Sequence, residues 1–479
     1  MPKIDIPEGW KMTTLGEVAE INALTIKKDY HYNEIEYIDV ASVEERKLLQ
    51  TQKLQLKSAP SRARRIVQDN DILISTVRPN LKHFCFIKTS KPNLVASTGF
   101  AVVSAKRAAP YFLYNLLTTE KYTKYLTQIA DTHTSTYPAF NPEVILNSKF
   151  LLPSLPEQHA IAAILSSFDD KIELLREQNK TLEAMAQAIY KRWFVDFEFP
   201  IEDETSKLLS LKRGEPEGRG GFDNILQLKG YKSSGGKMVK SELGEIPEGW
   251  EVGKIKDLID ILPGFAFSSA DFSKEGQYKL VTIKNVQDRY FNPQTKDNLR
   301  KLPKKMPDYC ILESGDILIS LTGNVGRICL ANGKDYLLNQ RVAKLRAKNE
   351  NDHAFTYLLF LQDSIFSLIQ NTASGTAQQN LSPIQLKEIN IIIADRKILD
   401  KFGIVANKLI KKIKNNISQI QTLSALRDSL LPKLMSGKIR VPVKNEAETT
   451  PASYGCHPSL KGGELEESGL ISEKDEGNK

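Results

Sequence analysis

The chain has 479 residues, of which 41% are hydrophobic and 26% are charged, and its formal net charge is +8. This length predicts two or three domains, and the hydrophobic content excludes a wholly disordered chain. No run approaches the roughly 18 uncharged apolar residues that a membrane helix needs, and the N-terminus does not resemble a signal peptide. We therefore expect a cytoplasmic protein with no membrane partner. The modest basic charge permits a nucleic-acid partner without requiring one.

The four cysteines predict neither a disulfide framework nor a structural zinc site. Cys85, Cys310, Cys329 and Cys456 form no Cys-x-x-Cys pair, and no histidine stands at metal-ligand spacing. We expect reduced, mostly buried thiols.

The sequence contains two copies of one module. Ile-Pro-Glu-Gly-Trp occurs at Ile6–Trp10 and again at Ile246–Trp250, and Asp-Ile-Leu-Ile-Ser occurs at Asp71–Ser75 and again at Asp316–Ser320. The two offsets, 240 and 245 residues, are nearly equal and the order is the same. This period is too long for a solenoid repeat and indicates a duplicated domain.

Each copy begins with a region of mixed secondary structure. Short apolar runs between polar, glycine and proline residues predict strands, as at Ile72–Ile74 and Ile317–Ile319. A helical stretch follows, near Tyr111–Ile129 in the first copy and near Ala354–Ile369 in the second. Each copy therefore combines strands with helices.

A heptad pattern after the first copy predicts a long helix from Glu157 to Trp193, about 55 Å in length. Pro156 precedes it, as is typical of a helix start. Asn179 occupies one position of the seam, where it is either a buried residue that fixes the register or a solvated one. The seam positions are Ile161, Leu165, Phe168, Ile172, Leu175, Asn179, Leu182, Ala186 and Ile189.

A second long helix is predicted after the second copy, from about Asp395 to Leu434. Its apolar stripe starts at Ile398, Phe402, Val405 and Leu409 and then moves to Ile410, Ile413, Ile417, Ile420, Leu423, Leu426 and Leu430, which predicts a register shift. Pro432 predicts a bend or an end, and Gly437 a stop. Because neither stripe is stable in water, we expect the two helices to pair in antiparallel orientation, with one module at each end.

The remaining segments read as connections. Residues 201–240 are polar and glycine-rich and predict a linker, while the acidic residues beyond about 444 predict a disordered tail.

No catalytic motif is evident. Gly230–Met238 resembles a phosphate-binding loop, but its lysine is one place late and no Ser or Thr follows it. The sequence also lacks the glycine-rich cofactor loop and the Asn/Asp-Pro-Pro-aromatic motif that a DNA-adenine methyltransferase needs. Two modules joined by long helices suit a ruler or adaptor better than a catalyst.

In combination, these features resemble the specificity subunit of type I restriction-modification enzymes. The resemblance covers Ile6 to about Val441. The second copy departs from the pattern at its helix entrance, where Ala394-Asp395-Arg396 stands in place of Pro-Glu-Gln. The resemblance rests on both Ile-Pro-Glu-Gly-Trp motifs, Gly315–Leu318, Leu152–Gln158, Tyr190–Phe197, Tyr231–Gly236 and Leu430–Gly437.

Together with the repeat, the resemblance predicts an α+β fold. Two pseudo-symmetric, mixed α/β target-recognition domains are separated by a pair of long antiparallel coiled-coil helices. The predicted boundaries are target-recognition domain one at 1–155, the central helix at 156–197, a linker at 198–240, target-recognition domain two at 241–393, the C-terminal helix at 394–437 and a disordered tail at 438–479.

The resemblance also implies a function without catalysis in this chain. Each domain would read one half of a split, asymmetric site in double-stranded DNA, and the helices would set the spacing and bind two DNA-methyltransferase subunits. The complex would methylate adenine at N6 and, with two motor-nuclease restriction subunits, cleave unmodified DNA. No cofactor is expected on this chain; S-adenosylmethionine belongs to the modification subunits, and ATP and Mg²⁺ to the motor-nuclease subunits.

Polar and basic residues in loops beside predicted strands are the candidates for contact with DNA. Arg and Lys pair with guanine, and Asn and Gln pair with adenine. Any one of them is otherwise a solvated surface group or a helix cap, and Trp10 and Trp250 are predicted as core anchors rather than stacking platforms. The first copy carries 20 Lys+Arg against 15 Asp+Glu up to Leu155, whereas residues 241–394 carry 18 of each. The candidates are Arg62, Arg64, Arg65, Arg78, Lys82, Thr134, Ser135, Thr136 and Tyr137 in the first copy, and Asn324, Arg327, Gln340, Arg341, Gln378, Gln379 and Asn380 in the second.

Two other classes of function remain open from the sequence. One is a self-sufficient nuclease or methyltransferase, against which the missing motifs argue. The other is a structural coiled-coil adaptor whose modules bind proteins rather than DNA.

Overall fold

The computed structural model describes residues 6–133, 138–201, 228–373 and 380–442. Over these ranges the chain forms two α+β domains with the same order of elements, and a long helix follows each domain. The predicted fold class is confirmed. Within the described ranges, no helix has the length and apolar character required to span a membrane.

The first domain consists of short strands followed by helices. Its strands are β1 (Lys11–Thr14), β2 (Ala19–Ile21), β3 (Glu34–Ile38), β4 (Val43–Glu44), β5 (Lys47–Leu48), β6 (Gln52–Gln55), β7 (Ala63–Ile66), β8 (Ile72–Ser75), β9 (Phe84–Phe86), β10 (Leu94–Ser97), β11 (Phe100–Ala105) and β12 (Lys149–Leu152). Its helices are α1 (Leu15–Val18), α2 (Pro110–Leu117), α3 (Glu120–His133) and α4 (Glu143–Leu146), and the first long helix is α5 (Leu155–Tyr190).

The second domain repeats this order. Its strands are β13 (Met238–Ser241), β14 (Gly244–Pro247), β15 (Glu251–Lys254), β16 (Ile259–Pro263), β17 (Tyr278–Val281), β18 (Val286–Gln287), β19 (Tyr290–Phe291), β20 (Asn298–Leu299), β21 (Ile311–Leu312), β22 (Ile317–Ser320), β23 (Ile328–Leu330), β24 (Tyr336–Leu338), β25 (Val342–Ala347) and β26 (Asn390–Ile393). Its helices are α6 (Ile255–Leu258), α7 (His353–Phe360), α8 (Asp363–Ala373) and α9 (Pro383–Lys387), and the second long helix is α10 (Arg396–Met435).

Two four-stranded sheets form the core of each domain. The first domain has the strand orders β2-β11-β8-β9 and β6-β3-β10-β7, and the second has β16-β25-β22-β23 and β20-β17-β24-β21. The repeated Asp-Ile-Leu-Ile-Ser motif supplies β8 and β22, which are inner strands with every residue buried. A strand that is buried on both faces needs an uninterrupted apolar run, which explains the Ile-Leu-Ile sequence.

Each predicted helical stretch before a long helix is two helices rather than one. The first breaks between α2 and α3, where the Thr118 hydroxyl donates a hydrogen bond to the carbonyl oxygen of Tyr114 at 2.8 Å. The second breaks between α7 and α8, where the Gln362 amide donates to the carbonyl oxygen of Leu358 at 2.9 Å. Polar side chains bound to the backbone in this way compete with continuation of the helix, and apolar periodicity alone does not reveal them.

The two long helices pack against each other in antiparallel orientation, as predicted. Glu157 of α5 contacts Arg440, just beyond α10, and Asp169 of α5 contacts Arg427. At the other end Trp193, in the π-helical turn that extends α5 over Lys191–Val195, packs on Phe402. The residue numbers rise along one helix as they fall along the other. The 36 residues of α5 span about 54 Å.

The predicted register shift in α10 is wrong. Ile398, Val405 and Leu409, which were predicted to start the stripe, are only partly buried against the core. The helix also continues past Pro432 to Met435. It stops at Gly437, as predicted, where φ is +70°. A Cβ at position 403 would lie 2.4 Å from the carbonyl oxygen of Asn351, so glycine is required there. Several buried positions of this helix hold small or polar residues, which a search for large apolar residues does not find. The buried positions are Leu399, Phe402, Gly403, Ala406, Ile410, Ile413, Asn416, Leu431, Leu434 and Met435.

A polar pair interrupts the seam between the helices. Asn416 is 1% exposed, and its amide donates hydrogen bonds of 2.8 Å to the side-chain oxygens of Asn179 and Gln178. Asn179 itself is half-buried. Of the two readings of Asn179, the structure supports the register-fixing one, although the fully buried partner is Asn416.

The Ile-Pro-Glu-Gly-Trp motifs tie each domain to the end of a long helix. Trp10 donates a hydrogen bond to Glu157 Oε2 at 3.1 Å, and Arg440 Nε donates to Glu157 Oε1 at 2.8 Å. Trp250 stacks on Phe199 beyond the end of α5, with 5.2 Å between the ring centroids. Both tryptophans are buried, so their prediction as core anchors is confirmed.

The predicted linker is structured at its C-terminal end. Residues 202–227 lie outside the described ranges, but Tyr231 stacks on Phe199 at 4.7 Å and β13 pairs with β14. A Cβ at Gly236 would lie 2.4 Å from the Tyr231 ring, so the glycine allows the chain to fold over that ring. Of the predicted tail, residues 438–442 are described, and they include Arg440, the partner of Glu157.

A buried charge network joins the first domain to both long helices. Asp169 of α5 accepts hydrogen bonds from Arg46 of the first domain at 3.1 Å, from Arg427 of α10 at 2.6 Å and from the Tyr111 hydroxyl. Arg46 also binds Asn115 at 2.6 Å. Burial alone would raise the pKa of Asp169, but Arg46, Arg427 and Tyr111 outweigh it and hold this pKa below its usual value.

We expect Asp169→Asn to lower the free energy of unfolding by about 3–5 kcal/mol, since it leaves the buried Arg46 without a counter-charge and Arg427 with only the exposed Asp428. Urea denaturation of the full chain measures this. A carboxylate with a lowered pKa stabilises the fold above its unfolded value, about pH 4, and this contribution is lost as the pH falls through the lowered pKa. The gap between the two proteins should therefore close only in acid.

The neighbouring Asp170→Asn serves as the matched control. Asp170 pairs with Lys88 on the surface, with both side chains more than half exposed, so its loss should change stability by at most about 1 kcal/mol. Equal effects of the two substitutions would contradict the network.

Candidate nucleic-acid interface

Three connections meet at one edge of the first domain. The loop that follows β8 donates a hydrogen bond from Thr76 N to Gly99 O at 2.9 Å, in the turn that precedes β11. Arg78 N donates to Pro138 O at 2.7 Å, and Phe140 N donates to Thr76 O at 3.1 Å. We call this meeting point, residues 76–83, 97–99 and 138–140, the first edge.

The second domain repeats the arrangement at the corresponding strand ends. Leu321 N, after β22, donates to Arg341 O at 2.9 Å, in the turn that precedes β25. Leu381 N donates to Leu321 O at 2.8 Å. We call residues 321–327, 339–341 and 380–381 the second edge. Loops held by a rigid sheet in this way are common sites of recognition.

A buried serine shapes the main loop of each edge. Ser75 Oγ donates to Val77 O at 2.8 Å, and Ser320 Oγ donates to Asn324 O at 2.5 Å. Both serines end the repeated Asp-Ile-Leu-Ile-Ser motif. The repeat thus encodes a loop anchor as well as a strand, and the sequence interpretation missed this role although the identity of the two serines was visible.

The two loops share an unusual backbone conformation. Gly323 and Gly326 of the second edge have φ of +71° and +82°, which glycine adopts without cost. At the matching places in the first edge, Arg78 has φ +48° and Lys82 has φ +57°. Long side chains in the left-handed region are strained, and such strain is concentrated at functional sites.

The structure brings seven of the ten described candidates to these edges. Arg78, Asn324, Gln340, Arg341 and Asn380 are all exposed there. Thr134, Ser135, Thr136 and Tyr137, and also Gln378 and Gln379, lie outside the described residues. The first described residues after these two segments are Pro138 and Asn380, and each of them belongs to an edge.

Several candidates already have partners within the domain. Lys82 pairs with Glu120 at 3.0 Å and with Glu45 at 3.2 Å; partial burial alone would lower the pKa of Lys82, but these carboxylates outweigh it and raise this pKa. Arg62 donates to Asp39 and to the Tyr37 hydroxyl, and Arg327 donates to Gln287. These side chains are held in place before any ligand arrives.

The prediction that Arg64 and Arg65 lie in a loop is wrong, because both belong to β7. Arg64 is exposed, whereas Arg65 is half-buried and burial lowers its pKa. Neighbouring side chains of a strand point to opposite faces of the sheet, which explains why these two arginines differ in exposure. Arg62, just before β7, is connected to the first edge through a 2.8 Å hydrogen bond from Thr98 N to Arg62 O.

The sequence interpretation missed the turn before β11, although it included Gln340 and Arg341 of the corresponding turn before β25. Thr98 and Gly99 carry no charge and no motif, so no local signal marks them. Within the described residues, Cys85, Cys310 and Cys329 are buried free thiols, and no cluster of His, Cys, Asp or Glu is arranged to hold a metal ion.

Residues 7–184 and 247–419 match the family model described as the type I restriction modification DNA specificity domain. The chain belongs to the family of type I restriction-modification specificity subunits. Each match covers one domain with its edge and more than half of the long helix that follows it. The specificity-subunit family therefore accounts for the duplicated plan.

Known specificity subunits are similar over nearly their full lengths. That of the HindI enzyme from Haemophilus influenzae is 27% identical over 460 residues, which cover 90% of this chain and 99% of that protein. That of the MjaIX enzyme from Methanocaldococcus jannaschii is 26% identical over 458 residues, covering 91% and 95%. The crystal structure of a type I restriction-modification S subunit from M. genitalium superposes with a TM-score of 0.49 at 15% identity, covering 91% and 97%.

The left-handed backbone at the edges of these specificity domains allows a prediction about the free energy of unfolding. We expect Gly323→Ala to lower the free energy of unfolding by about 1–2 kcal/mol, the cost of a left-handed side-chain residue. Arg78→Gly should change stability by less than about 1 kcal/mol, because relief of strain offsets the greater freedom of glycine in the unfolded chain. Thermal denaturation compares the two, and a larger loss in Arg78→Gly would contradict the strain at Arg78.

Proposed function

We propose that the chain directs a type I restriction-modification complex to a split, asymmetric DNA site. The observation that carries this proposal is the three-connection edge, which is formed once in each of two domains that pack on opposite halves of an antiparallel helix pair. Each edge reads one half-site. The edges present different side chains, Arg78 and Lys82 in one and Asn324 and Arg327 in the other, so the half-sites differ.

The chemistry of the edges suits base readout. Exposed Arg, Asn and Gln side chains can make paired hydrogen bonds to guanine or adenine in the major groove. The buried serines and the intramolecular partners of Lys82 and Arg327 limit the loop conformations. A pre-formed loop loses less entropy when it binds, which favours selective recognition.

The helix pair sets the distance between the half-sites. At about 54 Å, α5 is comparable to one and a half turns of DNA at about 34–36 Å per turn. Two edges carried by domains on opposite halves of the pair can therefore contact one face of a duplex. The seam, with its Asn416 to Asn179 hydrogen bond, keeps the helices from sliding and so keeps this distance fixed.

The outer faces of the helix pair are the docking surface for two methyltransferase subunits. Leu174 of α5 is 61% exposed and Leu426 of α10 is 47% exposed, and the Asp169–Arg427 and Asn179–Asn416 contacts place both near the middle of the pair. Each leucine leaves apolar surface uncovered on a long helix, and a docked subunit would remove that surface from water. The docked subunits bind S-adenosylmethionine and methylate adenine at N6, while this chain supplies recognition and no catalytic group. Two restriction subunits, using ATP and Mg²⁺, add cleavage.

Adenine-methylation mapping by long-read sequencing of host DNA tests the proposed function. We expect deletion of this gene to remove one split motif. Arg78→Ala and Arg327→Ala should each weaken or relax one half of that motif, because each removes a side chain from one edge. Loss of no motif, in cells where the methyltransferase subunit is expressed, would favour a structural adaptor.

Arginines at the opposite ends of the same sheets provide matched controls. Arg107 follows the end of β11, and Arg346 lies near the end of β25, each a strand length away from its edge. Arg107→Ala and Arg346→Ala should leave both half-sites unchanged. A motif altered equally by the controls would overturn the assignment of the edges.

Docking on the helix pair is tested by Leu174→Glu and Leu426→Glu. We expect each to raise the Kd for the methyltransferase subunit about tenfold or more, since a charge placed in an apolar contact costs at least about 1.4 kcal/mol. Analytical ultracentrifugation of the mixed subunits measures this. Leu49→Glu, at a leucine that is 43% exposed in the first domain, is the control and should have no effect. Unchanged Kd in both helix variants would overturn this docking surface.

A further inference from the structure

The second domain carries a concentrated basic segment outside its edge. Arg300, Lys301, Lys304 and Lys305 lie in the connection between β20 and β21, and all four are exposed. None of them forms an ion pair with another described residue; Arg300 makes one hydrogen bond of 3.3 Å, from its Nε to the backbone oxygen of Glu275. We call residues 300–305 the basic connection.

This concentration of charge is local. Residues 241–394 hold equal numbers of acidic and basic residues, 18 of each, so the domain has no general excess of positive charge. At the second edge, Arg327 is already bound to Gln287. The basic connection therefore offers a polyanion four exposed cations that form no ion pair with a described carboxylate.

Strand pairing fixes the position of the basic connection. Leu299 at the end of β20 lies opposite Tyr278, the first residue of β17. The last residue of β17, Val281, accepts a 3.2 Å hydrogen bond from Asn339 N of the second edge. The three residue steps from Tyr278 to Val281 place Arg300 about 10 Å from the edge, at about 3.3 Å per residue.

The connection then returns towards the edge. Tyr309 donates a 3.0 Å hydrogen bond to Pro263 O, at the end of β16, and Phe265 two residues later bridges to Asn339. A surface groove of about 580 Å³ runs beside the start of this path, between residues 270–273 and residues 299–303. Asp271 is the one carboxylate in its lining. The basic connection and the second edge thus belong to one continuous surface.

The separation fits the dimensions of duplex DNA. The major groove is about 12 Å wide, so an edge that reaches bases in this groove has phosphates about that distance to its side. Lysine ammonium groups act as point charges that suit phosphate oxygens, whereas paired recognition of a base needs a planar group. Three of the four cations here are lysines.

The first domain has a related feature at the matching place. Residues 56–62 connect β6 to β7 as residues 300–310 connect β20 to β21, and they include Lys57 and Arg62. The adjoining loop carries Lys27 and Lys28, just after Ile26, whose N donates a 2.9 Å hydrogen bond to Arg64 O. Both domains therefore place cations beside their edges.

We propose that the basic connection binds the phosphates that flank the half-site read by the second edge, and that it supplies affinity without sequence preference. The inference rests on the proposed function, because it assumes that the second edge binds DNA. It adds a division of labour within the domain: the edge selects the bases, and the basic connection holds the backbone. Sequence reasoning could have found it in the run Arg-Lys-Leu-Pro-Lys-Lys.

The test compares the full chain, bound to its methyltransferase subunits, with the variant Lys301→Gln/Lys304→Gln/Lys305→Gln. Binding is measured over a series of salt concentrations on a duplex that carries the mapped motif and on one with the second half-site scrambled. The slope of log K against log salt should become shallower by about 0.9 for each phosphate that the variant no longer neutralises. Affinity should fall by the same factor on both duplexes, so the preference for the motif stays unchanged.

Lys240→Gln/Lys334→Gln/Lys348→Gln is the matched control, since it removes the same charge at exposed lysines outside the edge, the basic connection and the helix pair. It should keep the wild-type slope. An unchanged slope in the basic-connection variant would overturn the inference, and so would a loss confined to the motif duplex, which would indicate base contacts. If the wild-type complex binds neither duplex, the proposed function itself fails.

Discussion

The antiparallel packing of α5 on α10 is the contact on which the rest of this molecule depends. Each helix carries a long apolar stripe whose exposure to water is unfavourable. Packing one stripe against the other removes both from water. The same helices then extend into the two domain cores, through Ile161 and Leu431 at one end and Trp193 and Phe402 at the other. One packing interaction thus fixes the fold and the separation of the domains.

Specific polar contacts give that packing a single register. Apolar stripes alone tolerate sliding, whereas buried hydrogen bonds are satisfied in only one alignment. Asn416 with Asn179, Arg427 with Asp169 and Arg440 with Glu157 occur at successive levels along the pair. Glu157 also binds Trp10, so the beginning of the chain, the start of α5 and the segment after α10 meet at one carboxylate. A slip of one helical turn would move a domain by about 5.4 Å, so these contacts keep the separation on which the proposed function rests.

The edges, by contrast, combine a fixed scaffold with loops that differ between the two domains. Buried inner strands such as β8 and β22 hold the ends of loops whose tips are exposed and free to differ. Arg78 and Lys82 adopt in one domain the backbone conformation that glycines adopt in the other. The shared scaffold therefore sets where side chains are presented, and the loop residues set what is presented. Cations placed beside an edge complement it, since charge gives affinity for any duplex while hydrogen bonds to bases give selection.

The sequence by itself determined the duplication, the α+β class, the two long helices and their antiparallel pairing, because identity and periodicity are local patterns that one chain displays openly. It misplaced the seam of α10, since Gly403 and Asn416 are not apolar and Ala406 is small, although all three are buried there. It also merged α2 with α3 and assigned Arg64 and Arg65 to a loop, because side-chain caps and short strands leave weak periodic signals. Only the tertiary structure brought Thr76, Gly99 and Pro138 to one edge. The hydrogen bonds at this edge join residues that are 23 to 64 positions apart. They follow from the order of strands in a sheet, which long-range packing decides and local sequence does not.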